Sequence, residues 1–313
     1  MSMTNLKNYY RVMPGRKSMY ADECFSGNFI GADFDMDMDL SDRLPENWRD
    51  FNKEFIPIYL EKRPDKTKVA AGLACGMLYT VSKGINIGDL VLCPDGKGYY
   101  RVGVVTQEYS YHPGEVLPHR RDVQWYSNTI DRAEMSQELK NSIGSIGTVS
   151  KITKYADEIE NLIAGDSPNG LVATDKTVED PSVFALEKHL EDFLVQNWQQ
   201  TLLGEKYDIY EEDGELVGQQ FPSDTGPIDI LAISKDKKEL LVVELKKGRA
   251  SDNVVGQIQR YMGYVIEELA EKNQTVKGVI IALEDDIRIK RALKVANNID
   301  FYRYEVSFKL FRG

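Results

Sequence analysis

Leu240-Leu241-Val242-Val243-Glu244-Leu245-Lys246 narrows the fold more than any other stretch of this 313-residue chain. Its first four residues are all apolar, and strand side chains alternate between faces, so such a strand is covered on both sides. Charge enters only at Glu244 and Lys246, which lie two apart and therefore on one face, while Leu245 continues the other. A second apolar pattern, Gly226-Pro227-Ile228-Asp229-Ile230-Leu231, opens on an acid. If these two strands pair, Asp229 joins Glu244 and Lys246 at one point of a buried sheet. Charge buried without partners is costly, so the cluster calls for a compensating ion or a polar ligand. Glu-x-Lys taken alone fits a strand surfacing at its end equally well.

The surrounding pattern is that of an α/β domain. A helix is expected from Pro181 to about Trp198, then strands near Leu216–Phe221, Ile228–Ile233 and Glu239–Leu245. A helix over Asp252–Lys272, a strand at Val276–Leu283, a helix near Ile287–Asn297 and a strand at Ile299–Glu305 complete it. This order predicts a mixed sheet flanked by helices. The turn-rich stretch from Gly165-Asp166-Ser167-Pro168-Asn169-Gly170 to Pro181 reads as a linker. The expected division is an N-terminal domain at 1–165, a linker at 166–181 and a C-terminal domain at 182–313. The N-terminal part reads as β-rich α+β. It has a hairpin at Ile87–Leu92 and Tyr99–Val105, a short strand at Val123–Tyr126, and helices at Asn47–Leu60, Lys66–Val81 and Ala156–Ile163. A small barrel with appended helices is one arrangement that fits.

Two further positions bear on the acidic cluster. In Val183–Leu194 the apolar stripe runs through 183, 186, 190, 193 and 194, which puts Glu187 inside it and Glu191 at its edge. An acid on a buried face wants a partner. Gln257 sits on the helix after the Glu-x-Lys strand, one turn before Tyr261 and close to Arg260. By itself it also fits a polar residue flanking an apolar seam.

In order along the chain, Glu187, Gly226–Leu231, Val242–Gly248 and Gly256-Gln257-Ile258-Gln259-Arg260-Tyr261 resemble the PD-(D/E)xK nuclease superfamily. More narrowly, about Pro181 to Asp300 is similar to the nuclease domain of the EndoMS/NucS endonucleases. The resemblance implies a restriction-endonuclease-like fold, Asp229 and Glu244 as metal ligands, and Glu187 as a helix-borne acid aiding the metal. It also implies that Lys246 positions or activates water and that Gln257 and Tyr261 complete the site. The N-terminal part departs from that family's usual N-terminal domain.

Phosphodiester hydrolysis needs a cation on the phosphate oxygens and an activated in-line water, and oxygen ligands suit Mg²⁺ or Mn²⁺. Lys247, Arg249 and Arg260 are placed to hold a phosphate backbone, with Arg288, Lys290, Arg291 and Lys294 on a later helix; basic helix residues are also commonly just a solvated face. In the N-terminal part, Tyr109-Ser110-Tyr111-His112 and Leu117-Pro118-His119-Arg120-Arg121-Asp122-Val123-Gln124-Trp125 interleave aromatics with cations. His119, Arg120, Arg121 and Trp125 are therefore candidates for stacking bases and gripping phosphates, although a barrel core with a basic rim reads the same way. Asp33-Phe34-Asp35-Met36-Asp37-Met38-Asp39 lacks the glycine and terminal acid of a calcium loop, and a solvated loop is the expectation.

Composition excludes little. The net charge of −11 counts mildly against a generic nucleic-acid binder, but binding depends on local patches. No apolar run approaches a membrane span, and three widely spaced cysteines suit a reducing cytoplasm. The expectation is a Mg²⁺- or Mn²⁺-dependent DNA endonuclease serving defence or repair, with no membrane partner and with a homodimer suited to cutting both strands. Its rivals are a non-catalytic DNA reader retaining a nuclease fold and a regulatory subunit of a larger complex.

Overall fold

A computed structural model describes residues 7–144, 147–164, 190–212 and 215–305. The chain divides into two compact units, Met1–Val172 and Ala173–Gly313.

The first unit is built on an open six-stranded sheet. Its strands are β1 (Tyr9–Val12), β2 (Phe29–Ala32), β3 (Leu90–Pro94), β4 (Tyr99–Tyr111), β5 (His119–Asp131) and β6 (Val149–Lys151), in the order β2-β5-β4-β3-β1-β6. The hairpin expected around the Asp95–Gly98 turn is the antiparallel pair β3–β4, with Leu92 opposite Val102. The barrel is not formed: β2 and β6 end the sheet on opposite edges. The parallel pairing of β1 with β3 puts β6 outermost rather than returning the chain to β2. Helix α1 (Ala21–Gly27) precedes β2, and α2 (Trp48–Lys62) and α3 (Lys68–Tyr79) pack together. Asn47 and Thr67 cap α2 and α3 by accepting from the backbone N–H groups of Arg49 and Ala70. Phe51 and Phe55 stack 4.2 Å apart in the core that these helices share. Two further helices, α4 (Gln137–Ile143) and α5 (Ala156–Ala164), bury Leu139, Ile143, Ile159 and Leu162 in one cluster with Leu90, Leu92, Tyr100 and Val102 of β3 and β4.

The second unit begins, among the described residues, with α6 (residues 190–196). Strands β7 (Tyr207–Ile209), β8 (Glu211–Glu212), β9 (Glu215–Leu216), β10 (Gln219–Phe221), β11 (Ile228–Ser234), β12 (Glu239–Arg249), β13 (Thr275–Glu284) and β14 (Ile299–Arg303) follow, with α7 (Asn253–Tyr264) between β12 and β13 and α8 (Ile287–Leu293) between β13 and β14. The main order is β10-β11-β12-β13-β14, and β7 shares the outer edge of β11 with β10. Pairing is antiparallel from β10 to β12 and parallel from β12 to β14, the mixed sheet expected. The α7 connection is what permits the parallel step.

One face of β12 presents Leu241, Val243 and Leu245 to a cluster completed by Trp198, Ile230 and Val279 and by Leu190, Leu194 and Val195 of the first helix. The other face lies under α7. A Cβ on Gly278 would stand 2.7 Å from Met262 Sδ and 3.1 Å from Ile258 Cδ1, so helix and sheet meet there at glycine distance. Helix α7 ends in a single π-turn, Val265–Leu269, short of the Lys272 end expected from its periodicity. No described helix is long and apolar enough to cross a membrane.

Candidate active site

The register of β11 on β12 sets up the site. Ile230 stands opposite Val243 and Leu231 opposite Val242, so one further step puts Asp229 across from Glu244. Residues directly opposite share a face, and alternation adds Lys246 to it. That face is the one under α7. Leu245 N–H donates to Asp229 Oδ2 at 2.7 Å, and Lys246 Nζ donates to Glu244 Oε1 at 2.8 Å. Glu244 is 2% exposed, with Oε2 sealed from solvent, whereas the Lys246 side chain remains one-third exposed. A carboxylate this deep needs compensating charge, and the Lys246 ammonium supplies it from a position that solvent reaches.

Glu187 lies outside the described residues. Glu191, four residues further along the chain, is buried, and its surroundings are specific. Gln219 Nε2 donates to its Oε1 at 2.7 Å and Gln220 Nε2 to its Oε2 at 2.5 Å; the Gln220 amide also reaches Asp229 Oδ1 at 3.3 Å. Burial pushes the Glu191 carboxyl up to about 7, opposed by the hydrogen bonds from Gln219 and Gln220 and reinforced by the charges of Asp229 and Asp192. The expected stripe placed Phe193 inside and Glu191 at the margin. Phe193 is instead 63% exposed, because α6 buries the side carrying Leu190, Glu191, Leu194 and Val195. The sequence signal for Glu191 was its i, i+4 relation to Val195 and its i+3 relation to Leu194.

Gln257 Nε2 donates to the Tyr261 hydroxyl at 3.3 Å, and Tyr261 is buried. Gly226, with φ of 127°, lies against that hydroxyl: a Cβ there would come within 3.2 Å of it. Gln257 and Tyr261 thus pack on the turn that leads into Asp229. Lys247 is half-buried, and its carbonyl accepts from the Tyr304 hydroxyl. Arg249 is exposed and pairs with Glu284 at 3.2 Å, while Arg260 is exposed on α7. Arg288, Lys290, Arg291 and Lys294 are exposed on α8 or just beyond it, Lys290 pairing with Asp285 at 3.0 Å.

The N-terminal candidates are placed differently from a solvent-facing grip. His119 is buried between the Tyr109 hydroxyl, 2.8 Å from Nδ1, and the Met36 carbonyl, 2.7 Å from Nε2. Arg121 is also buried. It donates to the carbonyls of Gln107, Ser82 and Ile85, serving the end of the π-turn that follows α3. Arg120 lies 3.8 Å over the Phe29 ring, donates to Leu117 O and Val116 O, and pairs with Glu115 at 2.8 Å. Trp125 is half-buried edge-on to Phe25 and donates to Cys24 O. The reason is topological: β5 pairs with β4 on one side and β2 on the other, so it lies inside the sheet, and His119, Arg120 and Arg121 are buried although successive residues take opposite faces. The Asp33–Asp39 run is a loop whose Asp35 and Asp37 pair with Arg63 and Lys62.

The second unit is a mixed sheet flanked by helices, with an acid on one strand facing Glu-x-Lys on the next. Residues 186–307 match the family described as the endonuclease NucS C-terminal domain, so the second unit carries a NucS-like nuclease domain. Residues 10–153 match a domain of unknown function, DUF8426. Among solved structures, the chain is similar to EndoMS in a complex with double-stranded DNA, at 14% identity over 67% of this chain and 62% of that one, with a TM-score of 0.33. It is also similar to a repair endonuclease from Pyrococcus abyssi (15%, 68% and 66%, TM-score 0.30) and to EndoMS in apo form (12%, 68% and 76%, TM-score 0.30). This chain therefore spans somewhat less than two-thirds of the EndoMS chain seen with DNA. No curated protein matches it.

Proposed function

We propose that this chain is a divalent-metal-dependent DNA endonuclease that hydrolyses phosphodiester bonds, acting in defence against foreign DNA or in repair. The observation that carries the reading is the shared face of Asp229, Glu244 and Lys246, with the ammonium 2.8 Å from the buried carboxylate. Among the described residues no three His, Cys, Asp or Glu side chains form a metal-holding group. Two carboxylates nonetheless suit Mg²⁺ or Mn²⁺, which commonly take one or two protein carboxylates and complete their shell with waters and substrate phosphate. The all-oxygen donor set suits such hard cations better than zinc, whose usual sites include Cys or His. Asp229 and Glu244 would hold the ion, with Glu187 as the further acid that the family resemblance adds to them. When bound, the ion supplies Lewis-acid polarisation of the phosphate and a more acidic water.

The chain's own groups do the rest. Lys246 donates to the attacking water and offsets charge developing on the phosphate oxygens. The Leu245 N–H keeps Asp229 Oδ2 in place, and Gln257 and Tyr261 support the turn before Asp229. Lys247, Arg249 and Arg260 contact the DNA backbone. The first unit engages DNA or regulates the second, and a homodimer would bring two such sites to two strands.

The test is cleavage of plain, mismatched, branched and base-modified duplexes with Mg²⁺, Mn²⁺ or EDTA. Wild type should cut at least one form only with metal, and Asp229→Ala and Lys246→Ala should lose about 100-fold or more in rate. Cleavage by these variants at the wild-type rate would refute the proposal.

A further inference from the structure

Gln219 and Gln220 are neighbours in β10, yet both donate to the same carboxylate, Glu191. In a regular strand consecutive side chains leave on opposite faces. Gln220 escapes that rule because its φ is 49°, in the left-handed region that glutamine seldom adopts. The register explains what the departure achieves. Gln219 pairs with Ile230 and Phe221 with Ile228, so Gln220 stands level with Asp229. Its amide then lies between two acids from different elements, 2.5 Å from Glu191 Oε2 on α6 and 3.3 Å from Asp229 Oδ1 on β11. Toward Asp229 it is the NH₂ end that can face the carboxylate, since the amide oxygen would meet an acceptor there. The two amide protons match the two acceptors.

We propose that Gln220 is a positioning residue of the nuclease site, whose amide fixes the Asp229 carboxylate by tying it to Glu191 on the helix. This inference rests on the endonuclease reading above. Asp229 Oδ2 is held by a backbone N–H from β12 and Oδ1 by Gln220 from β10, so the two oxygens are held from different strands. A strained backbone conformation kept at such a position is a common companion of function. Glutamate in place of Gln220 has the same size but brings a third carboxylate and no second donor. It favours cation binding by charge while releasing Asp229 from its orientation, so the two effects separate.

The experiment uses the full chain, the DNA form cut by wild type, and Mn²⁺ alone as the calorimetric probe. Gln220→Ala should keep its circular dichroism and its KM for DNA within about twofold, while kcat falls about 10- to 100-fold, the usual loss when an outer partner of a ligand is removed. Gln220→Glu should also lose kcat but bind Mn²⁺ several-fold more tightly than wild type. A residue that only packs would instead lower stability, kcat and Mn²⁺ affinity together in both variants. Wild-type kcat in Gln220→Ala, or weaker Mn²⁺ binding in Gln220→Glu, overturns the positioning role while leaving the nuclease reading intact. A wild-type chain that cuts no DNA removes both.

Discussion

Burial raises the Glu191 carboxyl from its ordinary value to about 7, and this gives stability a slope opposite to that of an ion-paired acid. Between the ordinary glutamate range and about 7, the native state holds a proton that the unfolded chain has released. Stability is therefore greatest at the acid end of this window and falls as pH rises through 7. Glu191→Gln removes the titration. Whatever constant cost the second amide brings, wild type should lose roughly 2 kcal/mol of stability relative to the variant from pH 5 to pH 8. Urea midpoints at the two pH values in EDTA measure it, and a pH-independent gap would show that Glu191 titrates normally. Arg121 poses a different question. It is a candidate either for gripping DNA or for the core, and its buried guanidinium donates to the carbonyls of Ser82 and Ile85 and to Gln107 O nearer the surface, with Glu108 3.6 Å away. Arg121→Met should destabilise the first unit by about 3 kcal/mol, because buried carbonyls lose their donors. A thermal melt reads this; an unchanged melt with weakened DNA binding would restore the surface role.

Strand β12 was legible because seven residues in a row carry the whole argument: apolar on two faces, then charged on one. Helix α7 was legible for the same reason, since its apolar positions recur at helical spacing from Val254 to Val265. The short strands were not. Tyr9–Val12 is four buried residues that include an arginine, and Tyr207–Ile209 is three, too few for any period to register. Nor could the open sheet be told from a barrel, because that turns on whether β1 pairs in parallel with β3, a choice made between segments some eighty residues apart. The site followed the same division. Asp229, Glu244 and Lys246 were visible in local spacing, whereas Glu191 and Gln220 meet only once α6 and β10 are placed. The seating of α7 can be tested at Gly278. Valine there forces its branches against Met262 and Ile258 and should cost about 1–3 kcal/mol as overpacking. Because α7 carries Gln257 and Tyr261, cleavage should fall beyond what the lost stability explains at 25 °C. Full activity in a destabilised Gly278→Val would separate the helix from the site.

To act on a polyanion as proposed, a chain with a net charge of −11 must arrange its charges locally. In the proposed site Asp229 and Glu244 share one face of the sheet, and Arg249 and Arg260 are exposed and close to them in the sequence motifs. In EDTA the two carboxylates repel the backbone that the cations attract, so DNA binding should be weak. Mn²⁺ reverses the sign at the centre and should strengthen binding to a short duplex by tenfold or more, about 1.4 kcal/mol, measured by fluorescence anisotropy under conditions that limit cleavage. Asp229→Asn removes one of the repelling charges: in EDTA it should bind more tightly than wild type, and it should gain less from Mn²⁺. Salt separates this effect from contacts made by the basic residues. Each phosphate neutralised contributes about −0.9 to the slope of log K against log salt, so Arg260→Ala should flatten that slope by about 0.9. If binding is tight in EDTA and indifferent to Asp229→Asn, the chain reads DNA at another surface and the acids play no part in holding it.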